Sequence, residues 1–363
     1  MRFVHEFRDP GRVLALTAAL RAEVRRPWTV MEVCGGQTHS VLRFGLDQLL
    51  PEGLRLVHGP GCPVCVTPAE LIDHAVQIAR TPGVTLATFG DMLRVPGNAG
   101  DLRMARAEGA SVEIVRAPLD ALTLAERQPL HPVVFFGVGF ETTAPALAIA
   151  LLEARRRGVD NFSALAAGVR VPPALRALAA DPERELQAFL AAGHVAAVMG
   201  LGEYEPLVAE LGLPIVVTGF EPTDLLEGLL LAVRQLERGE ATLQNAYSRV
   251  VRPDGSPPAR AMLERVFEPV ARVWRGLGII PESGLGIRAE YADLDAARRF
   301  PWRGGVAPEP SECRAGEVLR GRLRPPDCPS FGVACTPDRP LGAPMVSSEG
   351  ACAAHYRYRG ARP

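Results

Sequence analysis

The chain has 363 residues, 47% of them hydrophobic, with 40 Lys and Arg against 41 Asp and Glu for a formal charge of −1. That length holds enough core for two or three domains, and the balanced, interspersed charge excludes the basic excess of nucleic-acid and membrane-surface binders. No run reaches the roughly 18 apolar residues of a membrane-spanning helix, and residues 1–10 lack the apolar stretch of a signal peptide. The expectation is a cytoplasmic protein with reduced thiols, where clustered cysteines serve as metal ligands or redox groups more often than as disulfides.

From residue 28 to 238 short apolar runs alternate with longer amphipathic ones. In chain order, residues 29–33, 55–58, 84–88, 112–116, 133–137, 163–167, 195–199 and 215–218 predict strands. Most are continuous and rich in Val and Ile, the pattern of strands buried on both faces. Residues 69–80, 146–157 and 224–238 carry apolar residues at three- and four-residue spacing and predict helices between them. The alternation predicts an α/β fold of mostly parallel strands with helices on the faces.

A weak internal echo, VFFGVGFE ending at Glu141 and VVTGFE ending at Glu221, favours two similar Rossmann-like domains over one wide sheet. The expected division is 1–128 for the first, carrying Cys34 and the Cys62/Cys65 loop, and 129–250 for the second, with residues 128–132 as the hinge. Ligands of open parallel sheets bind beyond the C-terminal strand ends, so the cysteine loops and the Gly-Phe-Glu loops are expected to face one cleft. The third part, 251–363, opens with a helix predicted from Ser256 and Pro257 to about residue 275, stopped by Gly276 and Gly278. From Pro281 onwards Pro and Gly punctuate every few residues, which predicts a small irregular domain in need of a staple.

The seven cysteines fall into two groups with none between Cys65 and Cys313. Cys313, Cys328, Cys335 and Cys352 satisfy a [4Fe–4S] cluster or an all-cysteine zinc site by count. Zinc sites pair their ligands on short knuckles, and the wide spacing here favours the cluster. In the first group, Gly59-Pro60-Gly61-Cys62-Pro63-Val64-Cys65 sets two thiols three positions apart in a Gly/Pro-shaped loop. Thr67, Pro68 and Glu70 predict a capped helix start just beyond it. A helix N-terminus favours thiolate, so the pair suits dithiol–disulfide chemistry or soft-metal ligation, with thioredoxin-like chemistry as the rival.

Cys34 ends the first predicted strand in Cys34-Gly35-Gly36-Gln37-Thr38-His39, where glycines permit close approach of a ligand. His39 is a candidate ligand or acid, or a satisfied histidine at a helix start. Glu141 and Glu221 would each place a carboxylate near a helix N-terminus. For Glu221 simple dipole stabilisation is the favoured role; Glu141 remains a candidate catalytic group. There is no Walker loop, no radical-type triple-cysteine motif and no complete dinucleotide fingerprint.

Several segments together resemble one family. They are Cys34-Gly35 with Thr38-His39, Phe44 through Pro51, His58 through Cys65, Gly139 through Pro145, and Gly219-Phe220-Glu221-Pro222. Trp274-Arg275-Gly276-Leu277-Gly278, Cys335-Thr336-Pro337 and Met345 through Cys352 complete the set. In this order, across nearly the whole chain, they are similar to the HypD family of hydrogenase maturation proteins. The resemblance implies two α/β domains around a cleft and a third domain holding a [4Fe–4S] cluster on Cys313, Cys328, Cys335 and Cys352. It implies that iron with two cyanides and a carbonyl is held transiently at Cys34, Cys62 and Cys65, with a HypC-type small chaperone and a cyanide-donating enzyme, HypE, as partners. Such a protein is an assembly scaffold with redox capacity more than a turnover enzyme. The alternatives are a free-standing dithiol–disulfide oxidoreductase drawing electrons from the cluster, and a structural zinc protein. Ala315 and Pro344 depart from the pattern at positions where relatives are expected to carry cysteine.

Overall fold

The computed structural model describes residues 5–304 and 312–360. Residues 1–4 of the polar N-terminal stretch, and 305–311 and 361–363 of the C-terminal part, lie outside them. Among the described residues no helix is long and apolar enough to cross a membrane.

Strands β1 (Trp28–Glu32) and β2 (Leu54–His58) open a first sheet. The chain then leaves it to build β3 (Thr85–Thr88), β4 (Ser111–Ile114), β5 (Val133–Gly139) and β6 (Phe162–Gly168) of a second. It returns with β7 (Ala188–Ala192), β8 (Ile215–Thr218) and β9 (Leu243–Asn245). The orders are β2-β1-β7-β8-β9 and β4-β3-β5-β6, and every ladder in both sheets is parallel. The fold is therefore α/β with two Rossmann-like sheets, as the alternating pattern predicts.

The sheets interleave along the chain, so strands on both sides of residue 128 share each of them. The crossings run from β2 to β3 and from β6 to β7. Residues 128–132 lie within the second sheet, where they join the helix Pro118–Arg127 to β5.

Burial on both faces explains why the strands read as unbroken apolar runs. On one face of the first sheet, Val30, Leu190 and Val216 pack with Leu225, Leu229 and Val233 of the helix Pro222–Arg238. On the other face Met31, Phe189 and Val217 pack with Val171, Leu175 and Leu178 of the helix Val171–Ala179. Phe140, from the end of β5, enters that same cluster and ties the second sheet to the first.

Two predicted elements come out differently. Residues 195–199 belong to a helix, Gly193–Met199, and the strand of that region is the run before it, β7. Its sequence, AFLAA, is alanine-rich and lacks the β-branched signature, so only its position between β1 and β8 makes it extended. The helix expected to reach residue 275 is Pro257–Val266. Pro269 removes a backbone donor that a continuing helix needs. The chain instead forms the hairpin of β10 (Phe267–Trp274) and β11 (Gly278–Ile287), whose turn places Gly276 and Gly278 at φ of 78° and 89°. The hairpin fills the angle between the sheets: Trp274 and Ile280 join the core under the first, Phe267 and Leu285 the core under the second.

Because Phe189 is fully buried at the centre of the first sheet, Phe189→Ala is expected to cost about 3–5 kcal/mol in urea unfolding. Leu130→Ala, at a side chain 90% exposed, should change stability by no more than about 0.5 kcal/mol.

Candidate thiol site

Parallel pairing brings the loops after β1, β2, β7 and β8 to the same end of the first sheet. Cys34 leaves β1 and stands at the N-cap of the helix Gly35–Arg43. The loop after β2 turns directly over it: the Gly35 amide donates to Gly61 O at 2.8 Å, and a Cβ on Gly61 would run into the Cys34 backbone. That close approach is why glycine precedes Cys62. Cys62 caps the short helix Pro63–Val66, its sulfur accepting from the Cys65 amide at 3.3 Å. Thr67 does not cap the next helix, Ala69–Ala79, whose N-cap is Pro68. Its hydroxyl donates back to Pro63 O at 2.9 Å.

None of the seven cysteines is in a disulfide, and burial acts strongly on several of their thiols. It pushes the Cys34 thiol up to about 12, with the Glu32 charge adding to the effect and the Gly36 and Gln37 amides opposing it. Cys65 is also pushed well up, first by burial and then by Cys62, Cys352 and Glu349. The expected thiolate-favouring helix terminus is thus outweighed at Cys65 by desolvation.

The carboxylate beneath Cys34 belongs to a residue that no local pattern singles out. Glu32 is fully buried in β1 and accepts from the Cys34 amide at 2.9 Å, from the Thr38 hydroxyl, and from His58 Nδ1 at 2.7 Å. The chain continues from His58 Nε2 to His355 Nε2 at 3.2 Å. His355 lies in the C-terminal helix Ala351–Arg359, and burial, then His58, hold its pKa down at about 3. A neutral His355 donating from Nε2 lets His58 accept there and donate from Nδ1 to Glu32. His39, on the helix that Cys34 starts, meets Tyr358 of the same C-terminal helix, Nε2 to hydroxyl 3.0 Å.

The C-terminal thiols reach this end of the sheet as well. A Cβ on Gly35 would come to 2.5 Å from Glu349 Cβ, and Cys352 is close enough to act on Cys65 electrostatically. Cys328 and Cys352 pack against the apolar kernel of Phe331, Cys335 and Met345. Cys313 sits against Gly342, and Cys352 feels Cys313, Cys335 and Cys328 in that order. Among the described residues no three His, Cys, Asp or Glu side chains converge as tightly as a single metal ion requires.

At the same end of the sheet, Phe220 and the Cys34 sulfur close the space over Gly36. Phe220 stacks on His194 with ring centroids 3.8 Å apart. His194 follows the strand whose sequence hid it, so position alone could have singled it out. The two Gly-Phe-Glu loops diverge. Glu221 pairs with Arg8 at the surface, with one contact at 2.7 Å. Glu141 is buried, accepts from the Val171 amide at 2.9 Å, and leaves Oε2 without a partner among the described residues. Burial pushes its carboxyl up to about 7.

The HypD family model, described as "Hydrogenase formation hypA family", matches residues 12–359. The chain is 46% identical over 374 residues to the hydrogenase maturation factor HypD of Rhodobacter capsulatus, covering 100% of this chain and 99% of that one. It is 46% identical over 367 residues to HypD of Azotobacter vinelandii (99% and 97%) and 46% identical over 368 residues to HypD of Escherichia coli K12 (99% and 98%). A match of this length, taking in both cysteine groups and the loops that join them, makes the chain a member of the HypD family of hydrogenase maturation factors.

Proposed function

We propose that the chain is the scaffold on which iron receives two cyanides and a carbonyl before delivery to a [NiFe] hydrogenase. The observation that carries this is the meeting of Cys34, the Cys62/Cys65 loop and the C-terminal cysteine segment at one end of the first sheet. Low-spin iron with such ligands is soft, and thiolates suit it. Cys34, Cys62 and Cys65 are the proposed ligands for this cargo. A HypC-type chaperone would supply a further thiolate, and HypE would deliver cyanide.

Cys313, Cys328, Cys335 and Cys352 fit a [4Fe–4S] cluster. Cys328 and Cys352 pack against the kernel that contains Cys335, and Cys313 sits against Gly342, at the start of the turn that carries Met345. A tetrahedral zinc would draw its sulfurs to about 3.8 Å of one another, given Zn–S of about 2.3 Å. A cluster spreads its thiolates over separate corners, which suits the wide spacing of the four along the chain. Bound there, the cluster supplies one-electron chemistry. Cys62 and Cys65 are the proposed dithiol; closing them to a disulfide gives up two electrons and two protons, which would take two successive one-electron reductions of such a cluster. His39 and Glu141 are the proposed proton-handling groups, Glu141 because its unpartnered oxygen and raised pKa let it hold a proton near neutrality.

Infrared spectra of anaerobically purified protein, co-produced with its chaperone, should show cyanide and carbonyl stretches that Cys34→Ala abolishes. Absence of those bands beside an intact cluster would favour the dithiol oxidoreductase. Iron and acid-labile sulfide should each amount to roughly four per chain and be lost in Cys335→Ser; zinc in their place would rule out the cluster. The Glu141 carboxyl is raised in the folded state, so its contribution to stability is full below about pH 4 and fades as pH rises through about 7. Glu141→Gln should therefore gain on wild type, by about 1–3 kcal/mol, between pH 5 and 8 in urea titrations. An unchanged pH slope would show that the carboxylate is charged throughout.

A further inference from the structure

The turn between β10 and β11 touches both thiol groups. On one side the Arg275 amide donates to Val66 O at 2.8 Å, one residue beyond Cys65. On the other, Gly276 lies so near Gly316 that an added Cβ would come to 2.7 Å of the Gly316 Cα. Arg320 also donates to Gly276 O at 2.6 Å. Gly316 and Arg320 belong to the turn of helix Ala315–Leu319 and its C-cap, directly after Cys313. The hairpin turn is thus a wedge between the dithiol loop and the segment of the first C-terminal cysteine.

Arg275 is the charged residue of that wedge. Its guanidinium donates to a neutral carbonyl, Pro96 O, at 2.5 Å. A guanidinium packed into protein is costly to keep charged unless negative charge lies near it. Its field falls first on Cys313, then on Glu70, Cys65 and Asp73. Glu70 is at the surface, and Asp73 is engaged by Asn98 Nδ2 at 2.8 Å and the Ala99 amide at 3.0 Å. The thiol groups, once a metal displaces their protons, are the remaining source of negative charge near it.

We propose that Arg275 is a positioning residue, a fixed cation wedged between the Cys62/Cys65 loop and the Cys313 segment that raises the reduction potential of the cluster held by the C-terminal thiols. The proposal rests on the cluster reading above. Reduction of the cluster adds one electron, hence one unit of negative charge, and a nearby fixed cation favours the reduced state. Arginine keeps its charge when packed into protein, which suits it to this place.

The test compares wild type, Arg275→Met and Arg275→Lys, each anaerobically purified and checked by circular dichroism. Iron and sulfide are assayed first, and the cluster is then titrated with dithionite under electron paramagnetic resonance. In Arg275→Met the reduced-to-oxidised ratio at a given potential should fall at least tenfold, a shift of 59 mV for a one-electron couple. Arg275→Lys should stay near wild type. Loss of the cluster in the methionine variant with retention in the lysine variant would equally support a charge effect. A wild-type potential in Arg275→Met, or loss of the cluster in both variants alike, would overturn the proposal while leaving the cluster reading intact. Wild type without iron and sulfide would overturn both.

Discussion

A carboxylate with no exposed surface, Glu32, holds the site end of the first sheet together. Burying such a group is unfavourable by several kcal/mol unless hydrogen bonds replace its water, and here three do so. The Cys34 amide, the Thr38 hydroxyl and the His58 ring come from the strand end, the following helix and the neighbouring strand. Because β1 and β2 pair in register with Glu32 opposite His58, the carboxylate and the ring meet without any excursion of the backbone. The direction of Cys34, the turn of the Cys62 loop above it and, through His355, the seat of the C-terminal helix follow from that one group.

Around this anchor, the approach of backbones matters as much as the side chains. Gly61 lies against the Cys34 backbone and Gly35 against Glu349. Three segments thereby pack with no side chain from either glycine between them. Such contacts are specific in a way that an apolar patch is not, since one Cβ at either glycine displaces a whole segment. The hairpin plays a comparable part between the sheets. Trp274 packs beside Phe140, with ring centroids 6.1 Å apart, and donates to Ser283 Oγ at 2.9 Å. The Arg170 amide in turn donates to Ser283 O at 2.8 Å.

The parts of this arrangement that rest on local pattern were legible in the amino-acid sequence. Strands such as 215–218, and helices such as 224–238, announce themselves by period and composition. β7 does not: its alanines prefer helix, and pairing on both edges overrides that preference. The division of the chain between sheets was equally hidden, because strand order is a long-range property that no window of residues contains. At the site, both cysteine groups could be picked out by spacing, but not their convergence, which needs the C-terminal helix folded back over Gly35. Glu141 and Glu221 make the point most directly. Nearly the same short sequence leaves one carboxylate buried beneath Val171 and pairs the other with Arg8 at the surface. What distinguishes them is what the rest of the chain brings alongside.

Burial gives the thiols a common character. Cys34, Cys65, Cys335 and Cys352 are all pushed up by desolvation, so at rest they hold their protons. A free enzyme that attacks disulfides gains from the opposite arrangement, an exposed thiol with a depressed pKa. A ligand site does not need it, because a metal ion displaces the proton itself and leaves a thiolate whose charge the metal neutralises. Protonated, buried thiols also react slowly with oxidants and stray electrophiles. Thiols kept inert until metal arrives suit the proposed scaffold better than the proposed alternative. By the same argument a fixed cation belongs near the thiols that would stay charged once loaded, and Arg275 lies against the Cys313 segment.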